Sequence, residues 1–355
     1  MPPVLPGPSS CNPVPIIDGH NDVLSRLEDD GADDAALLRE GTAAITVPSA
    51  RAGGLAAGLF AMLPPPGPFD VRRAPGSYAV PPFPPVDWPT SVKTVGALAA
   101  RLFRLLDETD GAVHLVRDAG ELDACLDGEA LGVILHLEGA EPIDPDLDAL
   151  EVWYEAGLRS VGLVWSRANA FGHGVPFRFP STPDIGPGLT PAGRRLVRRC
   201  SELGLAVDVS HLNAAGFWDV VDQWDGPLIA SHSGVHALCP SSRNLTDDQL
   251  DVIASSDGIV GINFDVGSLR EDGGDDPDTP AARIAEHARY VADRCGVRHV
   301  ALGSDFDGAT MPAEVPNAAA LPRVLAALEA VGFESGEMDQ IASGNWRRAL
   351  LASWV

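Results

Sequence analysis

Two residues fit for chemistry stand where the first apolar run of the chain gives out: His20 and Asp22 in PIIDGHNDVL, residues 15–24. Ile16 and Ile17 suit a buried strand, and on a strand a spacing of two puts both side chains on one face. An imidazole and a carboxylate aimed together from a strand end can hold a divalent metal, or can form a hydrogen-bonded structural pair. Similar groups close later apolar runs: Glu138 in ALGVILHLE, His211 in LAVDVSH, His232 in PLIASH, and Asp305 and Asp307 around the end of HVALGSDF. One histidine or carboxylate at such a place is most often a satisfied core group. Three histidines and several carboxylates at successive run ends point to metal chemistry. Sorted by ligand type they fit two ions, His20 and Asp22 on one and His211 and His232 on the other, with Glu138 bridging through its two oxygens. Water between such ions becomes a nucleophile near neutral pH, and Asp305 is free to move protons. Lys93, the only lysine, lies in an insertion before a helix, so Glu138 is a better bridge than a modified lysine.

Bringing these groups to one rim requires a particular architecture. Eight short apolar runs, at residues 15–20, 57–63, 130–138, 159–165, 205–211, 227–232, 258–264 and 299–306, are bounded by Gly, Pro or polar turns. Most are continuously apolar rather than alternating, as expected of parallel strands covered on both faces. Helix-start signals fall between them: Thr190-Pro191, Thr246 and Thr279-Pro280. This alternation predicts an α/β fold, a (β/α)8 barrel of the TIM type forming a single domain over residues 1–355, with its chemistry at the carboxyl ends of the strands. The proline-rich stretch Pro64 to Pro89 is read as a structured loop inserted after strand two, and residues 91–109 as a helix.

Composition narrows the partners. A formal charge of −25 repels phosphate backbones and anionic lipid, so neither nucleic acid nor a membrane surface is expected as a partner. The five cysteines (Cys11, Cys125, Cys200, Cys239, Cys295) are scattered without a CxxC and read as free thiols. No apolar run is long enough to span a bilayer, and the start, MPPVLPGPSSCNP, lacks the pattern of a signal peptide, so a cytoplasmic enzyme is expected. A homodimer is compatible with the sequence but not required by it.

The segments DGHNDVL, HLEGAEPI, GLTPAGRRLVRRCSELGLAVDVSHL, ASHSGVHALCPSSRNLTDDQL, ALGSDFDG and SGNWRRALL together resemble the renal (membrane) dipeptidase family of zinc peptidases, from about residue 14 to the C terminus. The resemblance implies a barrel amidohydrolase holding two zinc ions per chain that cleaves dipeptides with a free amino end, often with a D residue on the carboxyl side. On matching positions it implies His20 and Asp22 on one zinc, His211 and His232 on the other, Glu138 on both, and Asp305 as the acid/base group. Arg243, in PSSRN, matches the family's arginine for the substrate carboxylate, a role its bidentate fork suits. Where mammalian members have an oxyanion-steadying histidine, this chain has Ser166; His173 in the following loop is the candidate substitute.

Several neighbours have plainer readings. His136 and Asp18, two residues before Glu138 and His20, are placed one layer beneath the ligands, and Asp307 is read as orienting a ligand. Asp265 either draws the substrate amine or faces solvent. The alternatives to a dipeptidase are an amidohydrolase of N-acyl amino acids or lactams on the same site and, from a different class, a metal-binding protein without turnover.

Overall fold

The computed structural model describes residues 14–26, 43–64, 71–74 and 76–354; Cys11 and the start of the chain lie outside them. Its strands, in chain order, are β1 Ile16–Asn21, β2 Leu55–Met62, β3 Arg72–Ala74, β4 Ser77–Ala79, β5 Val113–Leu115, β6 Leu131–Glu138, β7 Leu158–Gly162, β8 Arg178–Phe179, β9 Ala206–Asp208, β10 Ile229–Ser233, β11 Ile259–Ile262 and β12 Val300–Leu302. Eight of them run in the order β2-β1-β12-β11-β10-β9-β7-β6, all parallel, and the β2–β6 pairing closes the ring. These are the eight apolar runs of the sequence, and the fold is a (β/α)8 barrel. β5 adds in parallel to the first residues of β6.

The observed barrel strands stop earlier than the hydrophobic pattern does. β7, β9 and β12 end at Gly162, Asp208 and Leu302, although the apolar runs continue to residues 165, 211 and 306. Beyond those points the chain leaves the ladder while still buried, so burial persists after pairing has ended. His211, Asp305 and Asp307 take positive φ of 63°, 63° and 66°. Left-handed backbone at a non-glycine residue is disfavoured and persists only where its surroundings impose it.

Two other expectations change. The helix Ala282–Cys295 starts after Ala281, not at Thr279, whose hydroxyl instead donates to the carbonyl of Asp276 at 2.7 Å; the backbone N–H of Ala281 is met by Glu314 at 2.8 Å. The proline-rich insertion carries strands as well as loop: β3 pairs with β4, and β4 with the distant β8, in a small antiparallel sheet. Thr190 and Thr246 do cap their helices, Thr246 in a capping box with Gln249, and the helix before β5 spans Trp88–Glu108. The four described cysteines are free.

The barrel centre is filled at the amino ends of its strands. Ile17, Leu59, Ile134, Ala206, Ile229 and Ile259 form one buried cluster with Trp346, Ala349 and Leu350 of the C-terminal helix Asn345–Ser353. Trp346 is fully buried, and its indole N–H donates to the carbonyl of Leu302 at 2.8 Å. Gly19 leaves it room, since a Cβ there would stand 2.3 Å from the indole. Trp346→Ala should therefore destabilise the fold by about 3–5 kcal/mol, the usual cost of emptying a buried tryptophan site, read from the midpoint of urea unfolding.

Candidate active site

The carboxyl ends of the barrel strands gather the predicted residues around one centre. Glu138, the last residue of β6, lies with its Oε1 2.9 Å from His211 Nε2 and 3.6 Å from both His20 Nε2 and His232 Nε2. His20 Nε2 is 3.4 Å from Asp22 Oδ2. The rings of His20 and His232 stack with centroids 3.8 Å apart. Asp305 receives the side-chain N–H of Asn263 at 2.9 Å.

The donor set fits a metal. His20, Glu138 and His232 offer ligand atoms all within 4.8 Å of one another, and so do His20, Asp22 and Asp305. Both ring nitrogens of His20 and Oδ1 of Asp22 are buried without a hydrogen-bond partner in the structure. Buried polar atoms are normally satisfied, and a cation drawn in by mixed imidazole and carboxylate ligands would satisfy these.

Electrostatics favour the same reading. Burial holds His211 and His232 well below the ordinary imidazole pKa, reinforced by the Arg243 guanidinium and by His20, so both rings stay neutral. Neutral imidazole is the form that ligates. Burial also works against charge on His20, but Glu138, Asp22 and Asp305 outweigh it and push that ring up to about 10. Burial raises Glu138 well above the usual carboxylate range and raises Asp305 too, with His20 opposing in both cases. This is an uncompensated excess of carboxylate that bound cations would relieve.

The surrounding side chains hold the cluster. His232 Nδ1 meets Ser231 Oγ at 2.8 Å, and that hydroxyl donates to Asp208 at 2.6 Å. Ser166 Oγ lies 2.8 Å from His211 Nδ1. His136 bonds Ser160 at 3.0 Å and stands 3.6 Å from Asp208. Asp18 accepts the N–H and O–H of Ser304 at 2.6 and 2.8 Å, tying β1 to the chain just beyond β12.

A cavity of about 410 Å³ opens above this centre. Tyr78, Val80, Trp165 and Phe177 line one side, where the small sheet packs, and Tyr78 Oη lies 3.1 Å from Ser241 Oγ beside Arg243. Asp305, Asn263, Asp265 and Asp22 also line it. Arg243 is buried; its guanidinium reaches Ser233 Oγ at 3.3 Å, the carbonyl of His232 at 3.0 Å and His232 Nε2 at 2.8 Å. Asp265 faces the cavity rather than solvent, accepts the Ser268 hydroxyl at 2.7 Å, and is pushed up to about 6 by burial.

Ser166 and His173 are not among the described residues lining the cavity: Ser166 Oγ meets His211, and His173 Nδ1 lies 3.3 Å from the carbonyl of Gly188. Asp307 lines the cavity and accepts the backbone N–H of Ala44 at 2.9 Å. Sequence reading missed Asn263, Asp208 and Ser231, and also Glu141 and Arg167, a fully buried ion pair at 2.6 Å whose arginine also donates to the carbonyl of Pro64 at 2.7 Å. Asp208 and Asn263 carried a usable signal, since both are polar residues inside apolar runs.

A rim of histidines and carboxylates at the mouth of a (β/α)8 barrel is the arrangement of a metal-dependent hydrolase. The chain belongs to the membrane dipeptidase family, peptidase family M19, whose sequence profile matches residues 10–352. The dipeptidase AC, a crystallised M19 metallopeptidase, is 42% identical with a TM-score of 0.90, over 96% of this chain and 99% of that one. A metallopeptidase from Rhodobacter sphaeroides, crystallised with a phosphinate mimic of the dipeptide L-Ala-D-Ala, is 39% identical with a TM-score of 0.91, over 96% of this chain and all of that one. The dipeptidase aclJ of Aspergillus oryzae is 33% identical over 61% of this chain and 50% of its own length. Together these make the chain a metal-dependent dipeptidase. Among the described residues no helix is long and apolar enough to cross a membrane.

The Glu141–Arg167 pair joins the loops after β6 and β7 to Pro64, two residues past β2. Glu141→Ala would leave a buried guanidinium without its carboxylate, and should lower stability by about 3–5 kcal/mol, measured as the shift in urea unfolding free energy.

Proposed function

We propose that this chain hydrolyses L,L and L,D dipeptides with two zinc ions, one on His20 and Asp22, the other on His211 and His232, and Glu138 shared between them. The observation that carries this reading is the convergence of all five side chains, with buried and unpartnered nitrogens on His20, at the base of a cavity that also holds Asp305 and Arg243. When bound, the two ions supply Lewis acidity for the scissile carbonyl and lower the pKa of water towards about 7, so that a nucleophile is present at neutral pH.

The remaining tasks fall to the protein. Asp305, steadied by Asn263, takes the proton of the attacking water and returns it to the departing amine as the C–N bond breaks. Its raised pKa suits a group that must hold and release a proton. Arg243 meets the free carboxylate of the second residue through its planar fork, and the apolar side formed by Tyr78, Trp165 and Phe177 receives side-chain surface and excludes water. Acceptance of a D residue at the second position is supported by the dipeptide mimic bound by the Rhodobacter sphaeroides relative.

Asp305→Asn should retain its zinc and lose about 10²–10⁴-fold in kcat, the range for removal of an acid/base group, read by steady-state kinetics beside metal analysis. Arg243→Ala should raise KM for dipeptides about 10- to 150-fold, the equivalent of about 1.5–3 kcal/mol for a charged hydrogen bond. The decisive assay sets zinc-loaded protein against L,L and L,D dipeptides, tripeptides and N-acetyl amino acids. Turnover of dipeptides alone is expected. Turnover confined to the acetylated compounds would make the protein a deacylase, and no turnover at all would make it a metal-binding protein.

A further inference from the structure

Of the two histidines assigned to the second ion, one has a carboxylate behind it and the other does not. Ser231 Oγ lies 2.6 Å from Asp208 Oδ2 and 2.8 Å from His232 Nδ1. A carboxylate only accepts, so the single hydroxyl proton of Ser231 points to Asp208. The serine oxygen must then accept from His232, which places the ring proton on Nδ1. An independent contact agrees: Arg243 Nη2, which can only donate, lies 2.8 Å from His232 Nε2. His211 meets only the Ser166 hydroxyl at 2.8 Å and the Arg243 Nε at 3.2 Å on its Nδ1, and among the described residues no carboxylate stands behind that serine.

We infer that Asp208 and Ser231 are positioning residues that lock His232 in the tautomer with its proton on Nδ1, keeping the Nε2 lone pair free for zinc. The inference rests on the assignment of His232 as a zinc ligand. The arrangement is a carboxylate–histidine–metal chain lengthened by one hydroxyl, and the same logic applies: the outer acceptor fixes the ring's proton and orientation and raises its basicity as a ligand. Geometry makes the lock directional. Asp208 Oδ1 accepts two backbone N–H groups, from Ser210 and from Ser231, both at 2.9 Å. In Asp208→Asn those two donors hold the amide oxygen in the Oδ1 place, so the amide NH₂ must face Ser231. Ser231 then accepts from the amide, and its own proton has two acceptors within reach, His232 Nδ1 at 2.8 Å and Ser210 Oγ at 3.3 Å; the shorter contact favours donation to the ring, which then carries its proton on Nε2, where the metal would sit. A carboxylate-to-amide change at a catalytic histidine elsewhere acts in this way, leaving geometry intact and the tautomer wrong.

The test is zinc retention by the full-length zinc-loaded protein against a graded chelator, for the wild type, Asp208→Asn, Ser231→Ala and the double variant. Asp208→Asn should weaken one of the two ions about 10- to 100-fold, the usual effect of losing such a support. Ser231→Ala, which removes the lock without reversing it, should weaken that ion less. The double variant should hold zinc better than Asp208→Asn alone, because the reversed hydroxyl is gone. A purely structural role for Asp208 predicts the opposite, a double variant weaker than either parent, and that result would overturn the inference. So would unchanged retention in Ser231→Ala, which decides the matter if Asp208→Asn does not fold. A wild type that holds two zinc ions and cleaves dipeptides while the variants match it overturns the lock alone; a wild type that holds no second ion overturns the two-zinc reading and the lock with it.

Discussion

A carboxylate taken out of water must be met by positive charge or by a proton, and Glu138 imposes that condition on the whole rim. It ends β6 at the base of the cavity with three imidazoles within 3.6 Å, and burial lifts it well above the ordinary carboxylate range. Asp22 and Asp305 add to the same negative field, and Arg243, the one guanidinium lining the cavity among the described residues, is held to one side by His232 and Ser233. Among the described residues His20 and Arg243 offset this charge in part, yet Glu138 and Asp305 stay raised. Divalent cations would offset the rest, and metal binding then becomes part of the stability of the rim as well as of its chemistry.

Much of this was legible in the sequence because the barrel writes itself as repetition. Eight apolar runs became eight barrel strands, and the groups that closed those runs met at one end, since parallel strands of a barrel deliver their carboxyl ends to a common face. What could not be read was what happens after a strand stops. His211 and Asp305 lie beyond their strands in left-handed backbone, a local departure that the hydrophobic pattern does not record because both residues remain among buried neighbours. The supports Asp208, Ser231 and Asn263 show in the sequence only as polar residues inside apolar runs; the partner each one serves exists only in three dimensions. The pairing of β4 with β8 joins segments about a hundred residues apart, and nothing local announces it.

The cavity is chemically uneven. Near Arg243, β4 contributes Tyr78, the residue just past it Val80, and the segment leading into β8 Phe177; with Trp165 they form the apolar side. Asp22, Asn263, Asp265 and Asp305 make the polar remainder. A molecule with a carboxylate at one end and an amine at the other has one orientation that suits such a lining, and orientation within the site is a large part of what an enzyme contributes to rate. The proline-rich insertion, which interrupts the barrel pattern, contributes Val71, Tyr78 and Val80 to this lining.

The burial of Trp346 and its helix under the barrel centre has a kinetic consequence. The indole and aliphatic side chains fill the barrel axis at the amino ends of its strands, so the cavity at the carboxyl ends opens toward the rim where the small sheet stands. On the proposed function, a dipeptide and both of its products would share that mouth, and the depth at which each fragment is seated would bear on the order in which they leave.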